Sequence, residues 1–202
     1  MNQRDTAAAW DAEAATFDDE PDHGLRDPEV RRAWRALLAE ALPPAPARVA
    51  DLGCGTGSLA VLLAEDGHAV HGVDVSPEMV DRARAKASAA GGDVTVAQGD
   101  AAHPPLDPGG FDVVLSRHVL WAMPDPAAAL SHWVDLLAPG GRLVLVEGRW
   151  FTGAGLDAAT CERLVRAQGR EAVVRPLGDP AYWGRTIDDE RFLLVSEATA
   201  RA

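Results

Sequence analysis

From Ala47 onward, short apolar runs alternate with stretches of helical character, and this alternation restricts the fold more than any other feature of the chain. ARVADL (47–52), HAVHGVDV (68–75), DVTVAQGD (93–100), FDVVLS (111–116) and GRLVLVEG (141–148) read as strands. Between them, SLAVLLAEDG (58–67) reads as a helix closing at Gly67. Ser76-Pro77 caps a helix running to about Ala90, and Asp125-Pro126 caps another near 125–138. Pro139-Gly140-Gly141 then turns the chain into the fifth strand. Beyond Trp150 the pattern predicts a helix near 157–168 and two more strands, 171–177 and 191–198. Strands that are apolar throughout and separated by helices require a parallel sheet covered on both faces. The expectation is a single α/β domain with a doubly wound, Rossmann-like sheet.

Upstream, residues 1–26 are polar with scattered aromatics and no strong period. Asp27-Pro28 opens a helix whose stripe is Val30, Trp34, Leu37, Leu38 and Leu42, and the proline-rich segment 42–46 ends it. The chain is thus expected to divide into residues 1–46, an N-terminal lid and helix, and residues 47–202, the α/β core.

Charge and cysteine content remove several functions. The formal charge is −12, and the densest basic cluster, Arg31, Arg32 and Arg35, lies on one helix. Nucleic-acid binding relies on a basic patch to neutralise phosphates, so no nucleic-acid partner is expected. No apolar run approaches the roughly 18 residues of a membrane span, and the N-terminus has no signal pattern. A cytoplasmic protein with no membrane partner is expected, as monomer or homodimer. Two cysteines, Cys54 and Cys161, are too few for a disulfide framework or a thiolate-rich zinc site. No metal-binding constellation is evident in the spacing.

In an open parallel sheet, ligands lie beyond the carboxyl ends of the strands, where the strand order reverses. Strand one ends at Asp51-Leu52, and Gly53-Cys54-Gly55-Thr56-Gly57 leads straight into a helix. Glycines there allow a ligand to approach the main chain, and the helix start offers free N–H groups. The spacing is G-x-G-x-G, not the dinucleotide G-x-G-x-x-G. Asp51, two residues ahead, would repel a pyrophosphate and suits a ligand ammonium group. Asp74, ending strand two, can accept from both ribose hydroxyls, a role that dinucleotide and adenosyl ligands share. Asp100, ending strand three, can accept from an adenine amine.

These segments, with QGDAAHPPL (98–106), FDVVLSRHVLWAMPDP (111–126) and LLAPGGRLVLVEG (136–148), resemble in order and spacing the motifs of class I S-adenosylmethionine-dependent methyltransferases, over roughly residues 48–148. The resemblance implies a seven-stranded sheet whose last strand inserts antiparallel, with S-adenosylmethionine as donor and S-adenosylhomocysteine as product. It implies that Asp51, Gly53, Cys54 and Gly55 border the methionine portion. It implies that Asp74 holds the ribose, Val75 and Met79 pack on adenine, Asp100 and Ala101 meet its edge, and the Ser116-Arg117 backbone approaches the amino group. The function expected is methyl transfer to an oxygen or nitrogen of a small-molecule acceptor, in specialised metabolism. The alternatives are a non-methylating or regulatory use of the bound donor, and an NAD-dependent oxidoreductase.

His118, two residues past strand four, is the candidate general base for a hydroxyl acceptor, since an imidazole ordinarily titrates near neutrality. Six tryptophans stand against one tyrosine. Trp10, Phe17, Trp121, Trp150, Tyr182 and Trp183 are the candidate acceptor wall, the first two as a lid. Arg117, Arg149 and Arg185 are candidates for pairing with an acidic acceptor. Ser116-Arg117-His118-Val119 stands where methyltransferases acting on base or amide nitrogens carry [DN]PP[YFW], which argues against such acceptors. No metal is expected to assist the transfer.

Overall fold

A computed structural model describes residues 3–197. Seven strands form one sheet in the order β3-β2-β1-β4-β5-β7-β6. They are β1 (Arg48–Leu52), β2 (Ala69–Asp74), β3 (Val94–Gln98), β4 (Phe111–Arg117), β5 (Leu137–Arg149), β6 (Val173–Pro176) and β7 (Glu190–Ser196). The first five pair in parallel, and β7 runs antiparallel between β5 and β6. The expected doubly wound α/β sheet with its antiparallel last strand is therefore present. The expected end of that strand at Ala198 lies outside the described residues.

Why these segments adopt these elements is visible in their caps. Asp27 accepts from the backbone N–H of Glu29 and Val30 at the start of α3 (Pro28–Ala41), and Asp125 does the same for Ala127 and Ala128 in α6 (Pro126–Asp135). Ser76 caps α5 (Pro77–Ala90), which Gly91 ends in the left-handed conformation. With α4 (Ser58–Glu65), α3 covers one face of the sheet, burying Trp34, Leu37, Leu38, Leu59 and Leu62 against Val49, Val113 and Val144. α6 and α7 (Ala158–Ala167) cover the other with Leu130, Trp133, Cys161 and Val165 against Leu52, Val114 and Leu145. Each large apolar side chain so buried contributes about 1.5–3 kcal/mol.

Two boundaries differ from the sequence reading. β5 begins at Leu137 rather than 141, because a register shift between Phe111 and Val113 lets the Pro139-Gly140-Gly141 segment stay in the strand as an irregularity. Residues 3–24 are also more ordered than their weak periodicity suggests. They form α1 (Gln3–Glu13), a 3₁₀ turn (Phe17–Asp19) and α2 (Pro21–Gly24). Polar contacts hold this segment rather than an apolar stripe. Asp11 accepts from the Ser76 hydroxyl and the Glu78 N–H, and Asp18 accepts from Thr56 Oγ1 and from Lys86 at 2.9 Å. Among the described residues no helix is long and apolar enough to cross a membrane.

Candidate active site

The carboxyl ends of β1, β2 and β4 open into a cavity of about 530 Å³, over which α1, the 3₁₀ turn and α2 lie. The loop after β1 folds back on β2: the N–H groups of Gly53 and Cys54 both donate to the Val73 carbonyl, at 2.7 and 3.0 Å. Gly53 has φ +69°, and a Cβ there would sit 2.3 Å from Val119 Cγ2. Gly55 has φ +55°, and its Cβ would come within 3.1 Å of the Phe17 ring. Both glycines are thus required by backbone angle and by close approach.

Three aspartates line this cavity. Asp51 is 2% exposed, and its Oδ2 is buried with no partner. Burial pushes its carboxyl up to about 7; Arg117 works against the shift and Asp74 adds to it. Asp74 is also raised, chiefly by burial, and accepts from the N–H groups of Gly55 at 2.8 Å and Ser76 at 3.0 Å. Asp100, two residues beyond the end of β3, accepts from the Ala102 N–H through Oδ1. Cys54 lies between Asp51 and Asp74, and burial followed by these two carboxylates pushes its thiol well above the usual range. It is therefore a space-filling group rather than a nucleophile.

The other half of the cavity is aromatic. Trp10, Phe17, Trp121 and Trp150 line it, with Met123 and Pro124. Trp10 meets Phe17 edge-on, and Trp121 and Trp150 lie with ring centroids 5.2 Å apart. His118 lines the same cavity. Its backbone is left-handed at φ +60°, its N–H donates to the Val146 carbonyl, and its ring lies against Trp150 and Trp183. Burial first, then Arg117, Arg191 and His23, hold this imidazole well below its ordinary value, so it is neutral at pH 7.

Residues 50–145 match the family model of a methyltransferase domain. Set beside the glycine loop and the three strand-end aspartates, that match identifies residues 50–145 as a methyltransferase domain of the class I S-adenosylmethionine-dependent type. The chain is 41% identical over 117 residues to demethylmenaquinone methyltransferase of Thermus thermophilus, covering 56% of this chain and 53% of that one. It is 40% identical over 148 residues to trans-aconitate 2-methyltransferase of Streptomyces coelicolor, covering 69% of this chain and 45% of that one. The chain thus spans about half the length of the curated relatives it matches. Among solved structures, the [4+2]-cyclase SpnF shares the fold with a TM-score of 0.73 at 23% identity, over 84% of this chain and 81% of that one.

The donor set of this methyltransferase domain fits S-adenosylmethionine. Asp51 offers an unpartnered buried oxygen suited to an ammonium group, the glycine loop leaves the main chain bare, and Met79 and Val75 form an apolar slot beside Asp74. Of the residues singled out in the sequence, Asp51, Gly53, Cys54, Gly55, Asp74, Val75, Met79, Asp100, Ala101, Arg117, His118, Trp10, Phe17, Trp121 and Trp150 all line the one cavity. Three do not. Ser116 is wholly buried within β4. Tyr182 and Trp183 are not acceptor-wall residues: Trp34 of α3 meets both rings edge-on and donates its indole N–H to the Tyr182 carbonyl. Trp183 supports His118 from behind.

Two residues escaped the sequence reading. His23 lines the cavity, and nothing in its spacing links it to His118, 95 positions later. Glu147 of β5 is fully buried, and its Oε1 accepts from the N–H groups of Val119 at 3.0 Å and Leu120 at 2.7 Å. It thereby pins the loop that carries His118 and Trp121. Burial pushes its carboxyl up to about 8 against the pull of those N–H groups. Its position directly after the apolar run Leu143–Val146 was the available clue.

Proposed function

We propose that this chain transfers a methyl group from S-adenosylmethionine to an oxygen or nitrogen of a small aromatic acceptor. One observation carries the reading: a single cavity is lined by the strand-end aspartates, by four aromatic rings and by a neutral imidazole. When bound, S-adenosylmethionine supplies an electrophilic methyl group on its sulfonium.

The protein's tasks are then orientation and exclusion of water. Asp51 would take the ammonium end and Asp74 the ribose, and the bound group would supply its methyl within the cavity that His118 also lines. Trp121 and Trp150 flank a flat acceptor on one side, and Trp10 and Phe17 of the N-terminal segment close the other as a lid. His118, neutral at physiological pH, accepts the proton of an acceptor hydroxyl as the oxygen takes up the methyl group. The overall acidity of the chain and its lack of a basic patch support a small molecule over a nucleic acid as acceptor. Specialised metabolism is the setting proposed for this activity.

The test is a mass-spectrometric screen with deuteromethyl-labelled S-adenosylmethionine against hydroquinones, other phenols, indoles, amines and carboxylic acids. The expected result is a product carrying one labelled methyl group from the phenolic or hydroquinone members. SpnF, which shares this fold, is a [4+2]-cyclase. Tight cofactor binding without turnover on any panel member would favour such a non-methylating use.

A further inference from the structure

Asp22 and His23 of the N-terminal segment meet His118 at the acceptor end of the cavity. One carboxylate oxygen and two ring nitrogens lie within 4.8 Å of one another. Asp22 is buried, and its Oδ2 lies 3.5 Å from His23 Nε2. The His118 Nε2 is buried without a partner. Both rings are held in place: His23 stacks on Phe17 with centroids 4.2 Å apart and 14° between planes, and His118 lies parallel to Trp183 at 5.9 Å. Both line the cavity.

Two imidazoles and a carboxylate at this spacing suit either a divalent cation or proton transfer, and the surrounding charge separates the two. The guanidinium of Arg117 donates to the Asp22 carbonyl, and with Arg191 it lowers the proton affinity of His118. Burial and Arg117 lower that of His23, while Asp22 and Glu20 partly oppose them. Cationic neighbours repel a doubly charged ion strongly in a desolvated site, whereas they leave a neutral imidazole able to take up a proton and give it back. The pair therefore favours proton handling over metal binding.

We propose that His23, oriented by Asp22, is a second proton-handling residue of this site and forms a relay with His118. The relay rests on the methyl-transfer reading above. The acceptor O–H bond breaks, its proton goes to His118, and the oxygen keeps the electron pair that takes up the methyl group. The proton then passes to His23, across a span that one bridging water can close, and leaves to solvent, which restores both neutral rings. Because His23 belongs to the segment held by Asp11, Asp18 and Arg117, the relay is complete only when that segment is seated over the cofactor. Cover and chemistry are thereby coupled.

The test is an NMR pH titration of ¹⁵N-histidine-labelled protein saturated with S-adenosylhomocysteine, comparing the native chain with His23→Gln and Asp22→Asn. The rings of His23 and His118 are expected to titrate as a coupled pair below the ordinary histidine range. In His23→Gln, His118 should collapse to a single-step titration with a raised midpoint. In Asp22→Asn, the His23 midpoint should fall. With hydroquinone as acceptor, His23→Gln should lower kcat at least tenfold with little change in KM, and shift the acid limb of the pH–rate profile. A His118 titration identical in native and His23→Gln protein would overturn the relay. So would intense d–d absorption on adding Co²⁺, which would make the cluster a metal site. Loss of coupling with turnover retained rejects the relay alone. Intact coupling with no hydroquinone turnover counts against the methyl-transfer reading, and with it the relay.

Discussion

Cofactor affinity should depend on pH through Asp51. This carboxyl is 2% exposed with one oxygen unpartnered, and burial places its titration at about 7. An ammonium group docking against that oxygen needs the carboxylate form and lowers its proton affinity in the complex. Below the free value, binding must therefore expel a proton. At pH 6 about one molecule in ten carries the ionised form and at pH 8 about nine in ten, so Kd should fall about tenfold between them, or about 1.4 kcal/mol. The ligand ammonium stays protonated across this window and adds no slope of its own.

Isothermal titration with S-adenosylhomocysteine at both pH values, in two buffers of different ionisation enthalpy, measures Kd and proton release together. About one proton should be released per ligand at pH 6 and almost none at pH 8. Asp51→Asn should flatten the dependence and weaken binding at pH 8 by on the order of 1.5–3 kcal/mol, the contribution of a hydrogen bond to a charged group. Equal Kd at pH 6 and pH 8 in the native chain, with no proton released, would refute the assignment. The same shift has a consequence for the ligand-free fold. Its carboxyl titrates above the unfolded value of 3.8, so the native state holds the extra proton between 3.8 and about 7, and stability falls as pH rises through that window. Asp51→Asn escapes that loss and should stabilise the ligand-free protein at pH 8 by on the order of 1–3 kcal/mol in urea unfolding.

Gly55→Val should abolish measurable S-adenosylhomocysteine binding, because φ +55° opposes a β-branched residue and the new side chain meets Phe17; an unchanged Kd would remove the loop from the site. His118→Ala should lower methyl transfer by about 10²-fold while cofactor Kd changes little, and full activity would reject its role. Lys86→Met removes the donor shared by Asp18, Thr56 and Ser58, and limited proteolysis should then cut residues 14–26 faster than in the native protein. Glu147→Ala leaves the buried N–H groups of Val119 and Leu120 without an acceptor and should cost about 2–4 kcal/mol in urea unfolding.

The sheet was legible because every strand end carries its own local signal. Asp27, Ser76 and Asp125 cap helices where their side chains predict, and the apolar runs between them have nowhere to go but a covered parallel sheet. Asp51, Asp74 and Asp100 were legible as a group for the same reason: parallel strands place successive carboxyl ends on one edge, so their spatial proximity follows from topology. Partners from outside that repeat were not legible. The helix over 3–13 has no apolar stripe to announce it, since Asp11 and Asp18 fasten the segment through polar contacts with α5, Thr56 and Lys86. Tyr182 and Trp183 show the converse failure. Their aromatic character was visible, but which face of the sheet they join is fixed by Trp34, a residue 148 positions away from Tyr182.

Asp51 and Glu147 show how one physical condition serves two ends. Both carboxyls are buried and titrate far above the ordinary range, so each lowers the stability of the fold at neutral pH and above. The difference lies in what their oxygens face. Glu147 spends Oε1 on two backbone N–H groups and holds a loop, a task that any neutral acceptor of the same shape performs. Asp51 lines the cavity and leaves one buried oxygen unpartnered, and only a negative charge there answers an ammonium group. Exchange of each for its amide separates the two uses. Glu147→Gln should keep the loop, the cofactor affinity and the fold, with stability equal to or above the native chain at pH 8. Asp51→Asn should gain stability and lose the ligand. If both amides behaved alike, in either direction, a structural role at one strand end could not be distinguished from a binding role at the other by charge alone, and the ammonium assignment for Asp51 would fall.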